Sequence, residues 1–275
     1  MQRPFDIQPF LIAALAEDVG SGDITTNATI PADAQAKFSM RARHDLILAG
    51  AVFLPDIFAL IDPSVKIIVH IEDGKSIPKG GVIATLSGNA RALLVGERMA
   101  LNFIQQLSGI ATLTRQYVNE VAHTHAKIID TRKTIPTLRA LQKYAVRCGG
   151  GANHRMGLYD AVLIKDNHIA VAGSITNAIA AARKRTNVKI EVECDTIAQV
   201  REAIAAKPDI ILLDNMSNDQ LRQAVALCKP AHITTEASGN VSLATVKAIA
   251  DTGVDMISVG KLTHSAVAVD IGLDH

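Results

Sequence analysis

The chain has 275 residues, with 28 Lys and Arg against 27 Asp and Glu, 48% hydrophobic residues, 3% aromatics and no Trp. That length holds one large α/β barrel or two modest domains with an ample core. The balanced charge and scarce aromatics argue against a nucleic-acid binder, which spreads cations over a face and interleaves stacking rings. The apolar run at 10–16 is short, has no strongly basic lead-in and meets Glu17 and Asp18, so it fails as a secretion signal, and nothing approaches membrane-spanning length. Cys148, Cys194 and Cys228 lack C-x-x-C spacing, which favours buried thiols in a reducing, cytoplasmic setting over a thiolate metal site.

In chain order, residues 9–16 read as a short amphipathic helix followed by a polar loop at 17–23. Strand-like runs at 36–41, 46–48, 65–70 and 82–86 are separated by turn chemistry such as Asp73-Gly74 and Lys79-Gly80-Gly81. These predict a small α+β sandwich domain. A helical stretch over 91–121, with an expected interruption near Ser108-Gly109, links it to a second domain. The expected division is 1–115 for the first domain with its linking helix and 116–275 for the second, the extreme C-terminus packing back on the first.

From residue 126 a different pattern repeats. Brief apolar runs at 126–130, 161–164, 188–192, 209–213, 232–235 and 256–259 suit strands covered on both faces. Between them lie amphipathic helices, with Ile175, Ala178, Ile179 and Ala182 on one face, then Ile197, Val200 and Ile204, then Leu221, Val225 and Cys228. Ser174, Thr196, Ser217 and Ser242 stand where N-caps belong. Strand and helix in alternation imply right-handed βαβ units and a parallel sheet, and six such strands fit a TIM-like barrel better than an open sheet.

Catalytic groups of parallel barrels lie just past the carboxyl ends of the strands. Read in that order, the residues are Arg132 and Lys133, then Lys165, Glu193, Asp214, Ser238 with Gly239, and Gly260 with His264. Cations come first, carboxylates next, and small residues compatible with a phosphate last. The cations belong to a local excess: between Thr131 and His168 stand Arg132, Lys133, Arg139, Lys143, Arg147, His154, Arg155, Lys165 and His168, against Asp160 and Asp166 alone. A small, multiply charged anion is the expected target. Arg139, Lys143 and Arg147 recur every fourth residue on one helix, a spacing that predicts a solvated face. Gly149-Gly150-Gly151 precedes Ala152-Asn153-His154-Arg155, which reads as a binding loop ending in a two-pronged arginine donor. A structural ion network joining Lys165, Glu193 and Asp214, or a Schiff-base role for Lys165, stays open on these residues alone.

Eight strings in order carry a more specific signal. They are Glu17-Asp18-Val19-Gly20-Ser21-Gly22-Asp23-Ile24-Thr25, Gly96-Glu97-Arg98 with Leu107-Ser108-Gly109-Ile110-Ala111-Thr112, Asp130-Thr131-Arg132-Lys133-Thr134, Asn153-His154-Arg155, Lys165-Asp166-Asn167-His168, Glu191-Val192-Glu193, Leu213-Asp214-Asn215 and Glu236-Ala237-Ser238-Gly239. Over nearly the whole chain the sequence resembles the quinolinate phosphoribosyltransferase family. The resemblance implies an incomplete, roughly seven-stranded α/β barrel and a homodimer, with phosphoribosyl transferred from phosphoribosyl pyrophosphate to quinolinate and loss of carbon dioxide. It implies that Arg132, His154 and Arg155, with Arg98 from the neighbouring subunit, hold the quinolinate carboxylates, and that Lys133 and Lys165 bridge quinolinate and pyrophosphate. Glu193 and Asp214 fall to the ribose, and Ser238, Gly239, Gly260 and His264 to the 5′-phosphate, with Lys133, Lys165, Glu193 and Asp214 as the catalytic set. Mg²⁺ is expected to arrive with the pyrophosphate and its own water rather than in a protein cage. Lys261 stands next to Gly260 where a small residue is expected.

Overall fold

The computed structural model describes residues 5–275. The described residues form two compact units, one of 5–115, 135–150 and 265–275, the other of 116–134 and 151–264.

In the first unit, α1 (Gln8–Val19) and α2 (Ile24–Thr29) precede β1 (Gln35–Ala42), β2 (Leu46–Ile47), α3 (Leu54–Ala59), β3 (Lys66–Val69), β4 (Ser76–Ile77) and β5 (Val82–Asn89). Asp23 caps α2, accepting the Thr26 backbone N–H at 2.9 Å. The main sheet is antiparallel, in the order β12, β1, β5, β3, where β12 is the C-terminal strand Ile271–Asp274. Pairing of Ser39 with Asp274 places the end of the chain on this unit. Met40, Leu48, Phe53, Ile57, Phe58, Ile83 and Leu86 form its dry interior.

The long α4 (Ala90–Val121) comes next and runs unbroken through Ser108-Gly109, where an interruption was expected. The reason lies in packing. Gly109 leaves room for the Val267 carbonyl, which a Cβ would strike, while the Ser108 hydroxyl accepts the Ala49 N–H at 3.0 Å and donates to the Ala49 carbonyl at 3.2 Å.

After β6 (Lys127–Ile129) comes α5 (Arg139–Cys148). Its expected solvated face does not exist: Lys143 and Tyr144 are each 1% exposed, Arg139 and Arg147 are half-buried, and Arg147 stacks over the Tyr144 ring at 5.9 Å. Four-residue spacing marks one helical face whether that face meets water or protein. Here it meets protein.

The second unit continues with β7 (Val162–Ile164), α6 (Asp166–Ala172), α7 (Ile175–Arg183), β8 (Ile190–Cys194), α8 (Ile197–Ala206), β9 (Ile210–Asp214), α9 (Asn218–Cys228), β10 (Thr234–Ser238), α10 (Val246–Ala250), β11 (Met256–Ser258) and α11 (Lys261–His264). Its six strands are parallel, in the order β6, β11, β10, β9, β8, β7. The ladder does not close between β6 and β7. Beside β6 a single parallel bridge pairs Ile129 with Ala152, so the expected seventh strand is reduced to one residue. The barrel is therefore incomplete, its helices packing through Ile175, Ala178, Ile179, Val200, Ala203, Leu221 and Ala224.

Ser174, Thr196 and Ser217 cap α7, α8 and α9 by accepting an N–H three residues on. Ser242 does not cap a helix. It sits in a turn whose carbonyl accepts from Val246, while Thr245 occupies the capping position of α10. The strand expected at 232–235 begins two residues later, because His232 adopts a left-handed φ of 54° and ends the short 3₁₀ turn Lys229–Ala231.

Cys148, Cys194 and Cys228 are all buried and free. Burial pushes their thiols up to about 12, 12 and 11 respectively, so they are inert packing residues. No helix among the described residues is long and apolar enough to cross a membrane.

Candidate active site

A residue on a strand shares its face with the residue two positions on. That rule brings Leu163 with Lys165, Glu191 with Glu193, Leu212 with Asp214, Glu236 with Ser238, and Ser258 with Gly260 to the inner face of the parallel strands, in two tiers. The upper tier lies at the carboxyl ends and opens into a cavity of about 430 Å³. Around it stand Thr131, Arg132, Lys133, His154, Arg155, Lys165, Glu193, Asp214, Asn215, Ser238, Gly239 and Asn240, with Leu163, Leu212, Glu236 and Ser258 below. Most of the expected site residues thus share one cavity. Gly260 lies beside it, where an added Cβ would meet Lys133 Cδ at 3.1 Å and His264 Nε2 at 3.2 Å. Lys261 and His264 are exposed on α11. Arg98 is exposed on α4, in the other unit.

The cationic side is built on Asp130, which directly follows β6 and is fully buried. Its carboxylate accepts the Asn153 side-chain N–H at 2.6 Å and the His154 backbone N–H at 2.9 Å, tying the glycine-rich loop to the sheet. Just beyond, Thr131 Oγ1 accepts the Lys133 N–H at 3.0 Å, and Thr263 Oγ1 donates to the Lys133 carbonyl at 2.7 Å. These two bonds fix the turn that presents Arg132 and Lys133. Arg155 donates from its guanidinium to the Ala161 carbonyl at 3.1 Å, and Asp160 closes the adjoining turn by accepting the Met156 and Gly157 N–H groups. Burial, and then the like charge of Arg132, hold the Arg155 guanidinium below its ordinary value. It stays cationic, since arginine titrates far above neutrality. Two arginines held together in a partly dry pocket are an unfavourable arrangement that a ligand with several negative charges relieves.

The opposite side carries the carboxylates. Lys165 Nζ pairs with Glu193 Oε2 at 2.6 Å, their side chains 46% and 16% exposed. That setting differs from the apolar pocket a Schiff-base lysine requires. Asp214 accepts the Asn215 side-chain N–H at 2.6 Å. Asn215 itself has φ 52°, Gly239 99° and Asn240 49°, and a Cβ on Gly239 would run into Asn215 Oδ1. Gly239 and Asn240 thus make a left-handed turn against Asn215, with no room for a side chain at Gly239.

The lower tier was not assigned a role from sequence. Glu191 and Glu236 are 3% and 1% exposed, and His154 Nε2 lies 3.0 Å from Glu191 Oε2 and 3.7 Å from Glu236 Oε2. One ligand-type atom from each of these three residues falls within 4.8 Å of the others. The trio does not suit a metal, because His154 Nδ1 accepts the Arg155 N–H at 2.7 Å. The ring proton then resides on Nε2, the atom that would have to bind the ion. Burial foremost, and next the charge of Glu191, raise the Glu236 carboxyl well above the ordinary carboxylate range. The signal for this tier was present in the alternating acids of Glu191-Val192-Glu193 and in Glu236-Ala237-Ser238, since a strand buried on both faces is otherwise a continuous apolar run.

A family model described as the quinolinate phosphoribosyl transferase C-terminal domain matches residues 110–274, and one for the N-terminal domain matches residues 23–108. The chain is 50% identical over 260 residues to the probable nicotinate-nucleotide pyrophosphorylase (carboxylating) of Bacillus subtilis (strain 168), covering 94% of this chain and 89% of that protein. With the nicotinate-nucleotide pyrophosphorylase (carboxylating) of Mycobacterium leprae (strain TN) the identity is 44% over 269 residues, 95% of this chain and 94% of the other. The crystal structure of NadC from Streptococcus pyogenes superposes with a TM-score of 0.96 at 43% identity, covering 100% of this chain and 98% of that one. With both domain models matched in order and these likenesses spanning the whole fold, the chain belongs to the quinolinate phosphoribosyltransferase family.

Proposed function

We infer that the cavity divides the two substrates of the family reaction between its cationic and carboxylate sides. In that reaction the chain transfers the phosphoribosyl group of phosphoribosyl pyrophosphate to the ring nitrogen of quinolinate, giving nicotinate mononucleotide, pyrophosphate and carbon dioxide in de novo NAD synthesis. The observation that carries the division is that Arg132 and Lys133 after β6 and Arg155 in the loop beside it share one cavity with Glu193 and Asp214 at the ends of β8 and β9.

Arg132 and Arg155, backed by His154, take the quinolinate carboxylates, and Lys133 and Lys165 lie between quinolinate and the pyrophosphate. Breaking the bond to pyrophosphate leaves positive charge on the ribose and negative charge on the leaving group. Glu193 and Asp214 stabilise the first and the lysines the second, fixed in place before the charge develops. The same cations orient the ring nitrogen for attack. Once that nitrogen is ribosylated and positive, the ring accepts the electron pair released as the adjacent carboxylate leaves as carbon dioxide. The turn through Ser238 and Gly239, with Gly260 and His264 beside it, takes the 5′-phosphate.

Mg²⁺ would be held in the oxygen-rich upper tier by the pyrophosphate and its own water, with no dedicated protein ligand. Bound there it would offset the charge of the leaving group. Arg98 is proposed to reach the cavity of a second subunit, and an apolar groove of about 720 Å³, lined by residues such as Phe10, Phe103, Leu107 and Leu138, supports a second copy as its cover. The free buried thiols support a reducing, cytoplasmic setting.

Incubation with quinolinate, phosphoribosyl pyrophosphate and Mg²⁺ should yield nicotinate mononucleotide, pyrophosphate and carbon dioxide in equal amounts. Product that retains the second carboxylate, or no product, would refute the reading.

A further inference from the structure

Beneath the cavity, Glu191 Oε1 and both carboxyl oxygens of Glu236 are buried without a hydrogen-bond donor. Two full charges on adjacent carboxyl groups that leave three such oxygens unsatisfied are untenable in a dry interior, whereas one added proton gives the pair a donor and halves its charge. The surroundings decide where that proton rests. Glu191 already accepts from His154 Nε2, while Glu236 is the deeper of the two, faces Ser258 of β11, and feels Asp130 as a further negative neighbour. Arg155 feels the negative charge of Glu191 as well as the like charge of Arg132.

We propose that Glu191 and Glu236 hold one shared proton under the cavity and act through His154 as positioning residues for Arg155, so that the quinolinate side of the site is set from below. The chain of contacts is continuous. Glu236 as the neutral acid donates to Glu191, Glu191 as the carboxylate accepts the Nε2–H of His154, and the bare Nδ1 of His154 accepts the Arg155 backbone N–H at 2.7 Å. The imidazole is thereby held in one orientation, and it fixes the backbone from which the Arg155 guanidinium enters the cavity. No proton moves to substrate in this arrangement.

The assignment to quinolinate rests on the reading of the cavity given above, whereas the proton pair does not, and the tests separate the two. Infrared difference spectra between the wild type and Glu236→Gln, taken at neutral pH without substrate, should show a protonated carboxyl carbonyl band in the wild type that the variant lacks. Nitrogen-15 spectra of His154 should show a proton on Nε2 and none on Nδ1. In kinetics, Glu191→Ala and Glu236→Ala should raise the KM for quinolinate by about tenfold or more through loss of a buried partner, with a much smaller change in the KM for phosphoribosyl pyrophosphate. Glu236→Gln, which mimics the neutral acid, should bring the quinolinate KM back toward the wild-type value. Absence of the acid band, a His154 proton on Nδ1, or an unchanged quinolinate KM in an active Glu191→Ala protein would each overturn the proposal. The two spectra decide the proton pair even where an alanine variant fails to fold. A wild type that ignores quinolinate while showing both spectral signatures would refute the substrate assignment alone.

Discussion

At Gly239 a φ of 99° and the closeness of Asn215 Oδ1 leave no room for a side chain. Gly239→Ala should therefore weaken phosphoribosyl pyrophosphate by about tenfold or more, given roughly 1–3 kcal/mol of backbone strain at the phosphate turn, with a smaller effect on quinolinate, as separate KM measurements would show. Arg155 makes the opposite case. Its replacement by Lys keeps one charge but loses the planar two-pronged donor, so the KM for quinolinate should rise by roughly 1–3 kcal/mol, about five- to 150-fold, while phosphoribosyl pyrophosphate binding is little altered. Glu193→Gln and Asp214→Asn preserve shape and remove charge. The expected result, if the carboxylates act on the cationic ribose of the transition state as proposed, is a fall in kcat larger than any loss of quinolinate affinity. An unchanged kcat with a raised quinolinate KM would place them in recognition of the acid instead.

Among the elements, strands β8 and β10 and the loop at 151–155 explain what could be read from sequence and what could not. Arg132, Lys165, Glu193 and Asp214 were legible because each stands at or just past a short apolar run, where barrel chemistry gathers. Glu191 stands two residues deeper, inside the run read at 188–192, and Glu236 follows the run read at 232–235 only because the strand itself extends to Ser238, so that only the alternation of each with the residue two positions on marks them. The seventh strand could not be anticipated as a one-residue bridge, because Ala152 is recruited by the edge of β6 rather than by its own propensity. The face of α5 was misjudged because spacing reports which residues share a side, not what covers it. Asp73 shows how firmly that helix is held: its carboxylate accepts from the Gly50 and Ala51 N–H groups and from the Tyr144 hydroxyl at 2.6 Å. Asp73→Ala should cost about 3 kcal/mol, from several buried donors left unpaired, measured as a lowered midpoint of urea unfolding. A shift within error would mean that water replaces the carboxylate there.

For the molecule as a whole, the resemblance in the eight strings, the two matched domain models and the incomplete parallel barrel agree on one family. The sharing of Arg98 between subunits is open to a direct trial. Inactive Arg98→Ala mixed with inactive Lys133→Ala should regain part of the activity, since some hybrid dimers carry one site with neither lesion, and no recovery despite demonstrated subunit exchange would contradict a shared site. The central claim is that the clustered cations of the cavity recognise a dicarboxylate and couple its phosphoribosylation to decarboxylation. The comparison that tests it most directly is turnover of quinolinate against nicotinate under the same phosphoribosyl pyrophosphate and Mg²⁺. Quinolinate should be used far better, because a monocarboxylate offers the cation cluster only one of the two carboxylates it is proposed to bind in a partly desolvated site. Equal turnover of the two acids would contradict the account.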